Sequence, residues 1–452
     1  MLAWGMQPIK LSEIKEFIKL CLPLMAAFSA QKGMQFIDTL MMGWIGPDAL
    51  AAGALGTSVF MTILVFCRGT LSALGVAIVH ARGSGQSDEI QSLLHQAFYL
   101  ALTISLPSMF IAWITPHFLS ITDESSRVIN NTHLLLQGLA WGIPGFSLFF
   151  VLREFVSAFA RARIIMLVSG FFIPLTFAIN YILIYGKFGF PALGIGGIGY
   201  GGAAIVWLMF FCLLFYCKTN KILKEHLSFK LTGFEFKKIK ELFLTGVSSG
   251  MILVLDTGMF LIAAVMLGAF GVVALASYQI AMQCISTAYN LPLAVSVVTA
   301  LQTGHALGAG NFSKAKHQIY LGLLIGIAIA LVIALIFILF PGAIVKLFLG
   351  SKNYNLEIYH QTVTFLMIAV LFQGFDAAQA VLNGALRGFK DTFIPMLLNT
   401  VCYCLIGLGS AYIFGFHTPL QADGIWFGLT FGIFSLSLFL AIRLRKNLIN
   451  QI

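Results

Sequence analysis

Asp38, Asp256 and Asp376 each stand inside a long apolar stretch of this 452-residue chain, where a carboxylate is hardest to keep. Placing one at bilayer depth costs at least about 2.5 kcal/mol by insertion scales, so an intramembrane acid faces a cavity or a partner and handles ions or protons. The other acids among the chain's 17 lie in loops or near the ends of apolar runs. A carboxylate in such a setting carries H+ by taking up and releasing its proton, or ligates Na+ together with carbonyl and amide oxygens.

Each acid sits on a helical face. On the first apolar stretch Gln31, Gln35, Asp38 and Met42 follow i, i+4, i+7 and i+11, one side of a helix. Lys32 lies six residues before Asp38, about 240° around the helix and so off that face. On the seventh stretch Ser249 and Asp256 share a face, with Ser248 and Thr257 near, although Ile252 and Leu253 fill the turn between. On the tenth, Gln373, Asp376, Gln379 and Asn383 form a fuller stripe, and the fifth carries Asn180 and Tyr181 at mid-depth. Asn180 is neutral and suited to exchange a hydrogen bond with a carboxylate such as Asp38. Three acids on polar stripes favour ion handling over three unrelated packing groups. For Lys32 and Arg68, the basic residues deepest in the apolar stretches, snorkelling or a structural ion pair is the simple expectation.

The elements that must position these residues are membrane helices. The chain is 59% hydrophobic, only 10% charged, and has a mean hydropathy of +0.94, whereas a soluble domain is about 25% charged. Its apolar runs match a ~30 Å hydrocarbon core, without the short alternating segments of an outer-membrane barrel. The expected fold is all-α and polytopic. Twelve spans are read at 21–42, 49–79, 92–115, 131–157, 164–186, 197–217, 242–267, 274–303, 317–340, 359–384, 392–413 and 423–442. Residues 1–20 read as an amphipathic segment on the membrane surface, with Leu11, Ile14 and Ile18 beside Lys10, Lys15 and Lys19.

Charge distribution gives orientation. With a cytoplasmic N-terminus, 21 Lys and Arg fall inside, Arg153 among them, and four fall outside: Arg127, Lys187, Lys346 and Lys352. That asymmetry is the positive-inside signature and places both termini in the cytoplasm. The net charge of +10 therefore concerns topology, and no nucleic-acid partner is expected. The seven cysteines show no metal-type pairing and read as packing residues. The glycine run Gly194–Gly202 lacks the strand context and Gly-Lys-Ser of a nucleotide loop. No catalytic pair or cofactor fingerprint supports an enzyme.

The chain is a duplication. A shift of 225 residues aligns Gly43, Gly46, Ala49, Leu50 and Ala51 with Gly268, Gly271, Ala274, Leu275 and Ala276, and His80, Ala81, Gly83 and Gly85 with His305, Ala306, Gly308 and Gly310. Gly197-Ile198-x-x-Gly201 aligns with Gly424-Ile425-x-x-Gly428 at a shift of 227. His80 and His305, at matching places, read as turn residues. The halves are a six-helix bundle over 21–217, a basic linker over 218–241 and a second bundle over 242–452 with a short cytoplasmic tail. Six spans per repeat place both repeats in the membrane the same way up, as in transporters with parallel repeats.

At this point the residues resemble a known family. Gln31-x-x-Met34-x-x-x-Asp38-Thr39-x-Met41-x-Gly43 is similar to the first-helix signature of the multidrug and toxic compound extrusion (MATE) exporters, nearest the NorM subfamily. Gly83-x-Gly85, Gly308-x-Gly310, Pro292, Asn180-Tyr181 with Tyr185-Gly186, and Gln373-x-x-Asp376-x-x-Gln379 with Gly384-x-x-Arg387-Gly388-x-Lys390-Asp391 extend it over nearly the whole chain. The resemblance implies two pseudo-symmetric six-helix bundles in a V, alternating access, and export of organic, often cationic amphipathic compounds in exchange for H+ or Na+, without a cofactor. It implies a cation or substrate site at Asp38 and Asn180 in the first half, and another at Asp256 and Asp376, the candidate Na+ ligands, in the second. Gln31, Met34, Gln35, Tyr181, Tyr278, Gln279, Gln373, Gln379 and Asn383 are the candidate substrate-cavity residues. The implied partners are small organic substrates and the bilayer, with a monomer in the cell inner membrane as the expectation. The alternative is a flippase for lipid-linked saccharides of the same superfamily. Three departures stand out: Asp256 where NorM-type members usually carry Glu, Phe372 near a place where an aromatic hydroxyl is often found, and Ile184 in place of an additional carboxylate carried by some archaeal relatives.

Overall fold

The computed structural model describes residues 9–119, 125–227, 233–349 and 355–449. Lys230 of the linker, Lys352, and the ends of the chain lie outside the described residues. Among the described residues the regular structure is helical throughout. In chain order the helices of the first half are α1 (Leu11–Ile45), α2 (Pro47–Leu71), α3 (Ala73–Gly83), α4 (Ser87–Leu119), α5 (Ser126–Ala140), α6 (Gly142–Ala158), α7 (Arg163–Tyr185), α8 (Ile195–Thr219) and α9 (Lys221–His226). The second half holds α10 (Phe236–Gly268), α11 (Val272–Gly308), α12 (Phe312–Leu339), α13 (Pro341–Leu349), α14 (Leu356–Gly388), α15 (Phe393–Thr400), a π-helical turn over Val401–Gly407, α16 (Leu408–Phe416) and α17 (Gln421–Ile449).

Among the described residues ten helical stretches are long and apolar enough to cross a membrane, and eleven if α5 and α6, bent by 41° at Trp141, count as one. The remaining expected span is α1. Its 35 residues reach about 52 Å at 1.5 Å per residue, but Gln31, Lys32, Gln35 and Asp38 dilute its apolar character. The residues that make α1 interesting are those that weaken its membrane signature. No break separates the basic segment before residue 20 from the first span: the helix is continuous from Leu11, and Phe17, Cys21 and Leu24 form its buried face while Leu11 is exposed. Pro23 sits within it, as prolines do in membrane helices where neighbours re-satisfy the freed carbonyl. α10 likewise starts at Phe236, before the expected 242.

The duplication is visible in backbone geometry. Gly46 and Gly271 occupy matching turns at φ 144° and 96°, and Gly85 and Gly310 at φ 74° and 67°, values that L side chains avoid and glycine takes freely. After His80 and His305 the closures also match: Gln86 N donates to Ala81 O and Asn311 N to Ala306 O, the long bond of a Schellman motif. The paired histidines mark helix ends, as their repeat positions suggest.

The paired Gly-Ile-x-x-Gly runs are contact surfaces. A Cβ on Gly197 would press on the Leu183–Ile184 backbone of α7, and one on Gly424 or Gly428 would overlap the Phe414 or Ala411 backbone of α16. Small residues let these helix pairs approach closely, the usual device for packing where lipid supplies no hydrophobic drive.

The chain divides into two compact units, Pro23–Gly250 and Met251–Ile452 together with Met1–Leu22. In the first, α5 packs on α2 and α8, and α8 packs also on α6 and α7, around a core that includes Leu135, Leu136 and Ile143. In the second, α14 is central, against α11, α12 and α17. Its core gathers on the fully buried Trp426, flanked by Phe365, Tyr278 and a stacked Phe372.

Candidate functional site

In the first unit, α1 and α7 bring Asp38 and Asn180 together. Asn180 Nδ2 donates to Asp38 Oδ1 at 2.7 Å, and Asn180 is fully buried while Asp38 is half-buried. Opposite the amide stands Gly201 of α8, where any Cβ would overlap Asn180 Oδ1. The glycine thus makes room for the amide that orients the carboxylate. Asn180 Oδ1 has no hydrogen-bond partner of its own, an unspent acceptor next to an acid.

The rest of the α1 stripe is mixed. Gln31, Met34 and Gln35 are half-buried, and Gln35 Nε2 contacts Met61 Sδ at 3.1 Å. Met42 leaves the stripe for the core, its sulfur lying against Gly53 of α2. Tyr181 is 40% exposed and belongs to an aromatic ladder on α7, stacked on Phe177 and tilted on Tyr185, with Trp44 of α1 edge-on to Phe177.

In the second unit the polar groups form a chain along α14. Gln379 Nε2 donates to Asp376 Oδ1 at 3.1 Å, Asn383 Nδ2 to Gln379 Oε1 at 3.0 Å, and Asn399 Nδ2 of α15 to Asn383 Oδ1 at 3.4 Å. Asp376 is 4% exposed. One turn earlier Gln373 is fully buried, and neither its Nε2 nor its Oε1 meets a hydrogen-bond partner. Two unspent amide atoms beside a buried carboxylate are a strong sign of a ligand position, because leaving each buried and unpaired costs about 1–3 kcal/mol.

Asp256 of α10 faces this stripe. Its carboxylate and that of Asp376 act on one another electrostatically, and Tyr403 donates its hydroxyl to Asp256 Oδ1 at 3.0 Å. Tyr403 is buried, sits in the π-helical turn Val401–Gly407, and is in electrostatic contact with both acids and with Tyr289. π-turns recur at functional sites because the extra residue re-aims a side chain. An aromatic hydroxyl is therefore present, supplied by Tyr403 rather than by position 372. Phe372 stacks on Trp426, with centroids 6.0 Å apart and planes at 18°.

Two further candidate cavity residues stand on α11. Tyr278 is a core residue, 3% exposed, its hydroxyl donated to the Phe260 carbonyl. Gln279 is exposed on α11. Ser248, Ser249 and Thr257 turn their hydroxyls back onto carbonyls of their own helix, so the α10 stripe contributes its carboxylate alone. Tyr403 and Asn399 lie outside the residues that the sequence pattern picks out. Their i, i+4 spacing on one helix was the available signal, set in a run otherwise too apolar to read as a stripe. Arg153, counted among the charges on the cytoplasmic side, is 2% exposed within α6.

Among the described residues no group of three or more His, Cys, Asp or Glu is placed to hold a metal ion. The second unit offers two carboxylates, a phenol and free amide atoms, a set of hard oxygens suited to a proton or a weakly held alkali cation.

Comparison with known proteins agrees with this architecture. The MatE family profile matches residues 23–182 and 249–413. The chain is 31% identical over 450 residues to a probable multidrug resistance protein NorM of Synechocystis, covering 99% of this chain and 97% of the relative. It is 29% identical over 441 residues to the multidrug resistance protein MdtK of Yersinia pseudotuberculosis, covering 96% and 95%. Among solved structures it superposes on an outward-facing multidrug resistance MATE family transporter with TM-score 0.88 at 18% identity, over 97% of this chain and 96% of the other. It superposes on the eukaryotic MATE transporter AtDTX14 with TM-score 0.84 at 20% identity, over 98% of each. A transporter family fits a chain of helices long and apolar enough to cross a membrane with carboxylates set among them, and this protein belongs to the MatE family.

Proposed function

We propose that the protein is a secondary antiporter in the cell inner membrane that exports organic, often cationic amphipathic compounds in exchange for inward H+ or Na+, by alternating access and as a monomer. The observation that carries this reading is the Asp256–Asp376–Tyr403 cluster, with the unpartnered amide of Gln373 beside it. Two carboxylates acting on one another cannot both stay ionised without a compensating cation. Uptake of a proton or Na+ relieves that repulsion, and its release restores it. Coupling follows when ion occupancy stabilises one access state more than the other.

The Asp38–Asn180 pair in the first unit is a second, separate centre, suited to a cationic substrate or a further ion. The aromatic and methionine content of the chain, with 42 Phe, 12 Tyr and 16 Met, favours flat hydrophobic cations through stacking, cation–π and thioether contacts. The test is efflux of a cationic dye from cells expressing the protein, with the proton gradient and the sodium gradient collapsed in turn. Loss of efflux on collapse of one gradient supports antiport and names the ion. Efflux indifferent to both gradients refutes it.

A further inference from the structure

Phe28 of α1 is 2% exposed, and two guanidinium groups lie over it: Arg68 of α2, 4.8 Å from the ring centroid, and Arg153 of α6, at 4.7 Å. Arg153 also lies 4.8 Å from the Phe150 ring. Lys32, one turn beyond Phe28 on α1, is within electrostatic reach of Arg68. Two guanidinium groups from two helices of one unit therefore meet at one buried phenyl ring, with Lys32 of α1 acting on one of them. The acid that acts on Arg153 is its chain neighbour Glu154, itself buried.

Arg153 is the least comfortable of the three. Its Nε is buried without a hydrogen-bond partner. Cation–π contacts soften the burial of a guanidinium but are weaker than the hydration it gives up, and buried charges are paired or they move. Arginine is the cation best suited to such a place, because its planar donors fit an anion and it is only weakly hydrated.

The duplication sharpens the contrast. The turn after α6 matches the turn after α14 at a shift of 230: Ala160 and Lys390 have φ 57° and 59°, and Arg161 N donates to Val156 O as Asp391 N donates to Leu386 O. At that register Asp376, Gln379 and Asn383 correspond to Phe146, Phe149 and Arg153. One repeat carries a stripe for a cation where the other carries aromatic rings and a guanidinium.

We propose that this cluster is an anion site, holding a small inorganic anion, a halide such as chloride, at the Nε edge of Arg153 in the field of Arg68 and Lys32. Arg153 and Phe28 are each 2% exposed, a setting that favours a small anion over a bulky organic anion or a lipid headgroup. Halide binding is independent of which cation drives transport.

The test uses the purified full-length protein in detergent at constant sodium and constant ionic strength, with chloride titrated against gluconate while the thermal unfolding midpoint is followed. The expected result is a saturable rise with chloride, reproduced by bromide, abolished in Arg153→Gln and shifted to at least about threefold higher concentration in Lys32→Gln, as removal of one facing charge requires. Crystals grown in bromide are expected to show an anomalous peak beside Arg153 Nε. Lys32 is half-buried, so its variant keeps the test alive if Arg153→Gln does not fold. Equal midpoints in chloride and gluconate overturn the proposal, as does an undiminished chloride effect in Lys32→Gln. So does stabilisation by phosphatidylglycerol in the absence of any halide effect, which would assign the cluster to a lipid headgroup.

Discussion

Gly201→Ala is a one-carbon change that tests how the first carboxylate centre is held. The added Cβ overlaps Asn180 Oδ1, while its next neighbour, Ile179 Cγ2, stands at an ordinary 3.5 Å. The amide must therefore rotate or retreat, and its 2.7 Å bond to Asp38 is lost or stretched. A hydrogen bond to a charged group is worth about 1.5–3 kcal/mol, and overpacking a tight interior costs about 1–3 kcal/mol. These are two views of one displacement, so the expected loss is about 2–3 kcal/mol rather than their sum. If the Asp38 centre must be formed for turnover, efflux falls by roughly 30-fold to 140-fold, at 1.4 kcal/mol per decade. The assay is a double-mutant cycle with Asn180→Ala, read both as the unfolding midpoint of purified protein and as dye efflux. With the amide removed, the new methyl group enters vacated space, so Gly201→Ala should be nearly silent in that background. That gives a coupling of about 2 kcal/mol, within the range for directly touching residues. Equal damage from Gly201→Ala with and without Asn180 would refute the reasoning and place the effect in the α7–α8 backbone.

Other outcomes follow from the same geometry. Tyr403→Phe keeps the buried ring and removes the hydroxyl on Asp256; the unfolding midpoint should change little, while the half-maximal coupling-ion concentration for efflux should move by about threefold to tenfold, a typical hydrogen-bond effect. Gly428→Ala drives a Cβ into the Ala411 backbone, whereas Gly409→Ala on the neighbouring α16 meets nothing within 4 Å; thermal unfolding should show the first lowered by several degrees and the second unchanged or slightly raised. The linker docks through Glu235, which accepts from Ser92 Oγ at 2.7 Å and pairs with Lys238 at 2.9 Å. Those partners, Lys238 first, hold its carboxyl below the ordinary range, so its contribution is present above the usual carboxylate pKa and lost as pH falls through the lowered value. Limited proteolysis of the linker should accelerate only in that acid range, and Glu235→Gln should show the same acceleration at pH 7.

Much of the architecture was legible because it rests on period and composition. Apolar runs define the spans, and glycines that must adopt positive φ, Gly46 with Gly271 and Gly85 with Gly310, expose the duplication. The Asp38–Asn180 contact was readable because both residues are polar at mid-depth in apolar helices, where each needs a partner. What escaped reading depends on packing. Tyr403 stands in an apolar run, and the π-turn changes the angular step between residues, so a 3.6-residue period cannot say which way it points. Arg153 sits five residues before the end of α6 and looks like an inner flanking charge, because the positive-inside rule counts position in the chain and not burial. Tyr278 looked like a cavity aromatic, but its hydroxyl is spent on the Phe260 carbonyl, a contact between helices that no local pattern encodes.

The central claim is that the carboxylates of the second unit couple an ion to export. Its most direct measurement is substrate flux in proteoliposomes under an imposed H+ or Na+ gradient, comparing wild type with Asp376→Asn. The amide keeps the shape and can still accept from Gln379, so the variant should match wild type in folding and in equilibrium substrate binding. The predicted result is uphill flux in the wild type driven by one of the two gradients and none in the variant. Gradient-driven flux by Asp376→Asn at the wild-type rate would contradict the account.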